Sequence, residues 1–262
     1  MRALQIASTG MQAQELNVQV IANNIANMQT TGYKKQVAEF EDVLYEHIRR
    51  IGTQTSDQGN LLPVGVDIGS GVKTVGTPRL MTQGTLTQTS APLDVAVQGE
   101  GFFKILMPDG TFAYSRDGSF QMDAQGRVVT ANGNVVQPGI TIPQNATGLT
   151  INQQGQVSVV VAGSTTPTVL GTLTLTRFIN QAGLLPIGSN LFQETPASGA
   201  PQDGQPGIDG VGTLQQGSLE QANVDSVTEI SNLITAQRAY EMNSKVISAA
   251  DQMLQTANNL HQ

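Results

Sequence analysis

Residues 22–36, ANNIANMQTTGYKKQ, read as the end of a helix followed by a short polar break. Asn23, Asn24 and Asn27 stand around Ile25, and the run stops at Thr30-Thr31-Gly32 with almost no charge on it. A surface helix ordinarily carries charge on its outer face and a buried one carries aliphatic residues; this stretch has neither. Amides suit a helix enclosed by other protein, where each carboxamide donates and accepts without the cost of burying an ion. Gly32 is expected in the helix C-cap region, where a positive φ costs little.

Upstream, Leu4, Ala7, Met11, Val18, Ile21, Ile25 and Met28 follow alternating three-four spacing broken only at Gln14, which predicts a heptad seam. Arg2 and Glu15 are the only charges in the first thirty residues. The far end repeats the pattern at Leu233, Ala236, Tyr240, Ile247, Ala250, Leu254 and Ala257, with Asn243 on the seam. Val246, Met253 and Leu260 form a second stripe seven residues apart, so the apolar surface is too wide for one partner helix. A helix over 222–260 would span about 60 Å. Gly217-Ser218 is a break before it, and Asn223, Asp225 or Ser226 could cap its first turn.

The middle predicts β structure. LLPVGVDIGSGVKTVGT alternates at Val64, Val66 and Ile68, turns at Gly69-Ser70-Gly71 and resumes at Val72 and Val75, which predicts a hairpin. Alternating runs recur in LDVAVQGEGFFKIL, GRVVTANGNVVQ, GLTINQQGQVSVVV and LGTLTLTRF. Asn132-Gly133 marks a tight turn between Val128-Val129 and Val135-Val136. Residues 194–217 read as a long return loop. The expected fold is mainly β with α-helical termini: an N-terminal helix over 1–40, an extended hairpin segment over 41–80, a central β domain over 81–217 and a C-terminal helix over 218–262. The two helices would form a coiled-coil-like assembly domain.

Little here resembles a reaction centre. The 262-residue chain has 13% charged residues, 4% aromatics and no Trp, thin material for a substrate pocket. A formal charge of −7 argues against a nucleic-acid partner. Lys34, Lys35, Arg49 and Arg50 form a basic exception, expected to be a solvated helix end and loop. Cysteine is absent, so no disulfide or thiolate site is available. No run is long enough to span a membrane, and the first residues lack the pattern of a cleavable signal peptide. His47 and His261 lie far apart, without carboxylates at ligand spacing. Asp109, Asp117 and Asp123 could suggest a glycosidase pair, but Asp109 and Asp117 each precede Gly, which is ordinary turn chemistry. Gly99-Glu100-Gly101 opens no helix, which fails the dinucleotide test. Asp203 and Asp209 lack calcium-loop spacing, and Asn145-Ala146-Thr147 is a bare sequon. No catalytic, metal or cofactor residues are assigned, and no cofactor or small-molecule substrate is expected.

ANNIANMQTTGYKKQ resembles the N-terminal signature of the flagellar rod and hook axial proteins, and LEQANVDSVTEISNLITAQRAYEMNSKVISAADQML (219–254) resembles their C-terminal signature. LDVAVQGEGFFKI and YSRDGSFQMDAQGRVVTANG are similar to their central β region. Segment 45–84, YEHIRRIGTQTSDQGNLLPVGVDIGSGVKTVGTPRLMTQG, points to the distal-rod branch rather than the hook branch. Met28 and Gln29 stand where relatives often have Val and Asn. The resemblance implies a non-enzymatic subunit that self-assembles into a straight hollow drive shaft carrying motor torque across the periplasm to the hook. It implies export through the flagellar export apparatus without a cleaved signal peptide. It also implies neighbours in the proximal rod proteins, the hook protein and the P- and L-ring proteins. Another axial protein, or a secreted fibre or adhesin, are the alternatives.

The seam physics makes its own prediction. Asn, Ser, Thr and Val are mediocre helix formers, so both terminal helices are expected to be largely disordered in the free subunit and to order on assembly. Burying each larger seam side chain is worth about 1.5–3 kcal/mol, which offsets the ordering cost. Leu4, Met11, Val18, Ile21, Ile25, Leu233, Tyr240, Ile247 and Leu254 are the expected assembly residues. The amides of Asn23, Asn24 and Asn27 are expected to hydrogen-bond within the crowded inner tube, and Asn243, at its seam position, is a further expected assembly residue.

Overall fold

The computed structural model describes residues 2–49, 64–163 and 166–259. His261, Leu260, Arg50 and the 50–63 part of the expected hairpin segment lie outside the described residues. The chain divides into two compact units: Met1–Ile25, Gln36–Pro78 and Ser226–Gln262 form one, and Ala26–Lys35 with Arg79–Asp225 form the other. Residues 26–35 and 218–225, expected with the helices, therefore belong to the β unit.

The β unit grows from alternating runs of apolar residues. Val95–Gln98 and Phe102–Leu106 contribute Val95, Val97, Phe103 and Ile105, none of which is exposed to solvent. Phe102–Leu106 is the centre of the main antiparallel sheet. One side pairs Phe112–Ser115, then Leu191–Gln193 and Leu185–Gly188 at the edge. Its other side pairs Leu175–Arg177 near Phe102 and Val135–Val136 near Ile105, followed by Val128–Val129 and the two-residue edge Gln121–Met122. Ala146–Ile151, Gln156–Val161 and Thr168–Thr172 make a separate three-stranded sheet. The two pack around a core of Val95, Val97, Phe103, Val136, Val159, Leu175 and Leu214. A second cluster sets Phe102, Tyr114, Phe178 and Phe192 edge to face, the arrangement that aromatic quadrupoles favour.

The turns at Asn132-Gly133, Asp109 and Asp117 form as expected, and Asp123 makes a further one. Gly133 has φ +81°, and Val129 pairs Val135. Asp109 accepts from the Thr111 N–H at 2.9 Å, Asp117 from Ser119 at 3.0 Å and Asp123 from Gln125 at 2.9 Å. The return loop is more ordered than expected: Gln202–Gly204 pairs Leu175–Arg177, and Thr213–Gln216 pairs Val95–Gln98.

The other unit contains α1, Arg2–Ala26, and α2, Ser226–Asn259, with a two-stranded ribbon. α2 starts later than the 222 expected, because Ser218–Glu220 is a strand paired with Leu86–Gln88. Asn223 does not cap it. Its Oδ1 accepts from the Lys35 N–H at 2.7 Å, and its Nδ2 donates to Leu80 O at 2.8 Å.

The expected local hairpin at Gly69-Ser70-Gly71 is corrected. Val66–Gly69 pairs Tyr45–Arg49, and Val72–Gly76 pairs Glu39–Asp42, so the Gly-Ser-Gly corner bends one limb of a longer ribbon. Gly71 has φ +109°, and the neighbouring Val72 N–H donates to Thr9 Oγ1 at 3.4 Å.

Candidate assembly interface

α1 and α2 run antiparallel. Near one end Asn24 Nδ2 donates to Glu229 Oε2 at 3.3 Å; fourteen residues along each helix, Gly10 lies under the Asn243 carboxamide. A Cβ on Gly10 would stand 2.8 Å from Asn243 Nδ2. The buried residues are Ala7, Ala13, Val20, Ile21 and Asn24 on α1, with Glu229, Ala236 and Ala250 on α2. The seam within the subunit is thus mostly small or polar, Val20 and Ile21 excepted, lying one residue to the side of much of the expected stripe on α1.

That offset leaves the large residues underused. Leu4, Met11, Val18 and Ile25, spaced by heptads, are half-buried; of the apolar residues expected for assembly on α1, Ile21 alone is buried. On α2, Leu233, Asn243 and Ile247 are half-buried, while Tyr240 and Leu254 remain 42% and 45% exposed. Val227, Ile230, Ile234, Met242, Val246 and Met253 are exposed as well. An open apolar groove of about 450 Å³ runs between Ala3, Ile6, Ala7, Gly10, Gly71, Val72, Asn243 and Val246.

The asparagines serve different ends. Asn24 is wholly buried and clamps a peptide group inside the chain: its Nδ2 donates to Gln36 O at 2.8 Å, and its Oδ1 accepts from Gln36 N–H at 2.9 Å. Its amide is engaged within the subunit, where sequence reasoning placed it in the tube. Asn27 meets the Thr30 hydroxyl at 3.3 Å, and Asn23 lies on the exposed side of α1. Gly32 has the expected positive φ, +69°, but lies six residues beyond the last helical residue, Ala26. Its N–H donates to Glu220 O at 2.8 Å, and a Cβ there would meet Asp117 N at 2.8 Å. It serves close backbone packing rather than the helix end.

A buried ionic clasp was missed. Lys34 is 1% exposed rather than solvated, and its Nζ donates to Glu220 Oε1 at 2.6 Å and to Thr82 O at 2.9 Å. Arg116, 4% exposed, donates to Gly101 O at 2.6 Å and Gly99 O at 2.8 Å. Arg116 Nε lies 3.2 Å from Glu220 Oε2, near enough for ion pairing but not aligned as a hydrogen bond, so charge alone holds that oxygen. Burial, followed by the Arg116 charge, pushes the Lys34 ammonium below its usual range against the opposing pull of Glu220. Burial likewise lowers Arg116. The available signal was the few charges in three otherwise uncharged motifs: Lys34 and Lys35 in TGYKKQ, Arg116 and Asp117 in YSRDG, and Glu220 in LEQAN. Lys35 is half-buried and Arg49 exposed; His47 Nδ1 lies 2.6 Å from Asp67 across the ribbon.

Among the described residues, no group of three or more His, Cys, Asp or Glu is placed to hold a metal ion, and no helix is long and apolar enough to cross a membrane. What stands out is adhesive helix surface. Three family profiles match in chain order: "Flagella basal body rod protein" over residues 4–34, "Flagellar hook protein FlgE/F/G D1 domain" over 96–159 and "Flagellar basal body rod FlgEFG protein C-terminal" over 215–260. The flagellar basal-body rod protein FlgG of Caulobacter vibrioides is 55% identical over 260 residues, 99% of each chain. The chain belongs to the FlgG family of flagellar basal-body rod proteins. FlgG of Borreliella burgdorferi is 48% identical over 99% of this chain and 98% of its own, and FlgG of Bacillus subtilis is 36% identical over 99% of each. FlgG-family members are structural rod subunits, not enzymes, and they assemble in the basal body with other flagellar proteins.

Proposed function

We propose that the chain is a distal-rod subunit that self-assembles into a straight, hollow shaft transmitting motor torque to the hook. The observation that carries this reading is the unmatched apolar surface of the helix pair. Small and polar residues join α1 to α2, while Leu4, Met11, Val18, Ile25, Tyr240, Ile247 and Leu254 keep apolar area for sibling subunits. Contacts of this kind that repeat head to tail without closing build helical filaments. The shaft crosses the periplasm, with proximal rod proteins below, hook protein above and the P- and L-ring proteins around it. Subunits travel through the flagellar export apparatus without a cleaved signal peptide. Asn23 and Asn27 complete hydrogen bonds in the inner tube. Residues 1–25 and 226–262 serve assembly, 36–78 serve bracing, and 26–35 with 79–225 form the β domain.

Replacing Ile25 or Ile247 with Asp tests the reading. Each is expected to abolish rod assembly and swimming while the β unit stays folded by near-UV circular dichroism. A variant that still built normal basal bodies in electron micrographs would refute the placement of the interface.

A further inference from the structure

We propose that the contact of Asn243 with Gly10 is a register latch that fixes, to the heptad, how α1 and α2 lie against each other. The alanines of the seam discriminate poorly between alignments. Ala7, Ala13, Ala236 and Ala250 are small and interchangeable, and a seven-residue apolar repeat packs again after a slip of one heptad, about 10 Å along the axis.

Gly10 and Asn243 break that degeneracy. A side chain at position 10 would stand 2.8 Å from Asn243 Nδ2 and 3.3 Å from its Cγ, so the carboxamide in this placement occupies the space that a Cβ would take. Sliding α2 by one heptad brings Ala236 or Ala250 to Gly10, leaving a void, and carries Asn243 to Ala3 or Asn17. Fourteen residues along, Glu229 and Asn24 form a second discriminating pair, and Asn24 is itself anchored to the Gln36 peptide. A polar side chain on a helical seam is a known means of selecting register at some cost in adhesion. The aligned outer surface depends on it: Val246 meets Ala3, Ile6 and the Gly71-Val72 corner in one groove only in this register.

The chain has no cysteine, so introduced pairs report cleanly. Ala7→Cys with Val246→Cys reads the observed register, and Ala7→Cys with Ala239→Cys reads a one-heptad slip. Each tagged variant is expressed beside the wild-type chain, so that basal bodies form, and isolated basal bodies are oxidised and run on non-reducing gels. The first pair is expected to close as an internal loop in most tagged chains and the second in few. Adding Asn243→Leu should lower the first yield and raise the second several-fold. Gly10→Ala with Asn243→Ala removes the steric conflict, and it carries the test if the leucine variant is not incorporated. The double variant is expected to enter rods yet give both cross-links. Retained selectivity in either background overturns the latch, and a dimer band from the first pair overturns the pairing within one chain.

Discussion

At the residue scale the clasp carries two cations and one carboxylate, and this imbalance makes its members unequal. Removing Glu220 leaves Lys34 and Arg116 facing each other in a dry interior, whereas removing Lys34 leaves Glu220 and Arg116 as a balanced pair. Breaking a buried pair by deleting one partner costs about 3–5 kcal/mol, while replacing buried charge with a well-packed apolar group is often neutral. Glu220→Gln is therefore expected to lower the thermal midpoint of the β unit sharply and Lys34→Met to lower it far less, both measured by calorimetry. The pH response follows from the depressed Lys34 value. Between that folded value and 10.5 the unfolded chain holds a proton that the folded chain has released, so stability rises with pH. That increment is complete above 10.5 and lost as pH falls through the folded value. Wild type should gain on Lys34→Met as alkaline pH rises, and equal slopes would count against the buried ammonium. Local patterning could not find this clasp, because its members lie at positions 34, 116 and 220 and meet only after the strands pair.

At the element scale the ribbon is the least self-sufficient part of the chain. Leu44, Tyr45, Ile48, Val66 and Val75 are all exposed, and an isolated two-stranded ribbon is marginal in water. Cover from a neighbouring subunit would supply what it lacks, which is the physical basis for the proposed bracing role. Deleting residues 52–70 should leave a filament that bends more easily under a micropipette or in flow, and unchanged stiffness would remove the bracing role. The alternation around Gly69-Ser70-Gly71 correctly marked two strands yet misplaced their partners. Period-two patterning fixes which faces are buried or exposed, while partner choice depended here on the earlier runs Glu39–Asp42 and Tyr45–Arg49, which are too short and charged to read as strands. The helices were easier, since a 3.6-residue period sustained over 25 and 34 residues is hard to mistake. Asn24 shows the limit: its burial was legible, but its partner Gln36 was not.

At the scale of the whole molecule, the mainly β chain with a helix at each end was legible from periodicity and turn chemistry, and the family from four motifs in order. The division into units was less legible, because Ala26–Lys35 joins the β unit through a glycine contact and a buried charge rather than through hydrophobic pattern. If the helix pair is completed only by siblings, far-UV circular dichroism of purified subunit should show much less helix than polymer, and a fully helical monomer would defeat the idea. Both ends of the main sheet are also blunt. One is the four-residue Leu185–Gly188, which contains Pro186 and an irregular register, and the other is two residues long. Short, proline-bearing borders give a second sheet little to template on. In the proposed shaft, where many identical copies would pack side by side, such borders would disfavour amyloid-like fusion of neighbouring β units along these two edges.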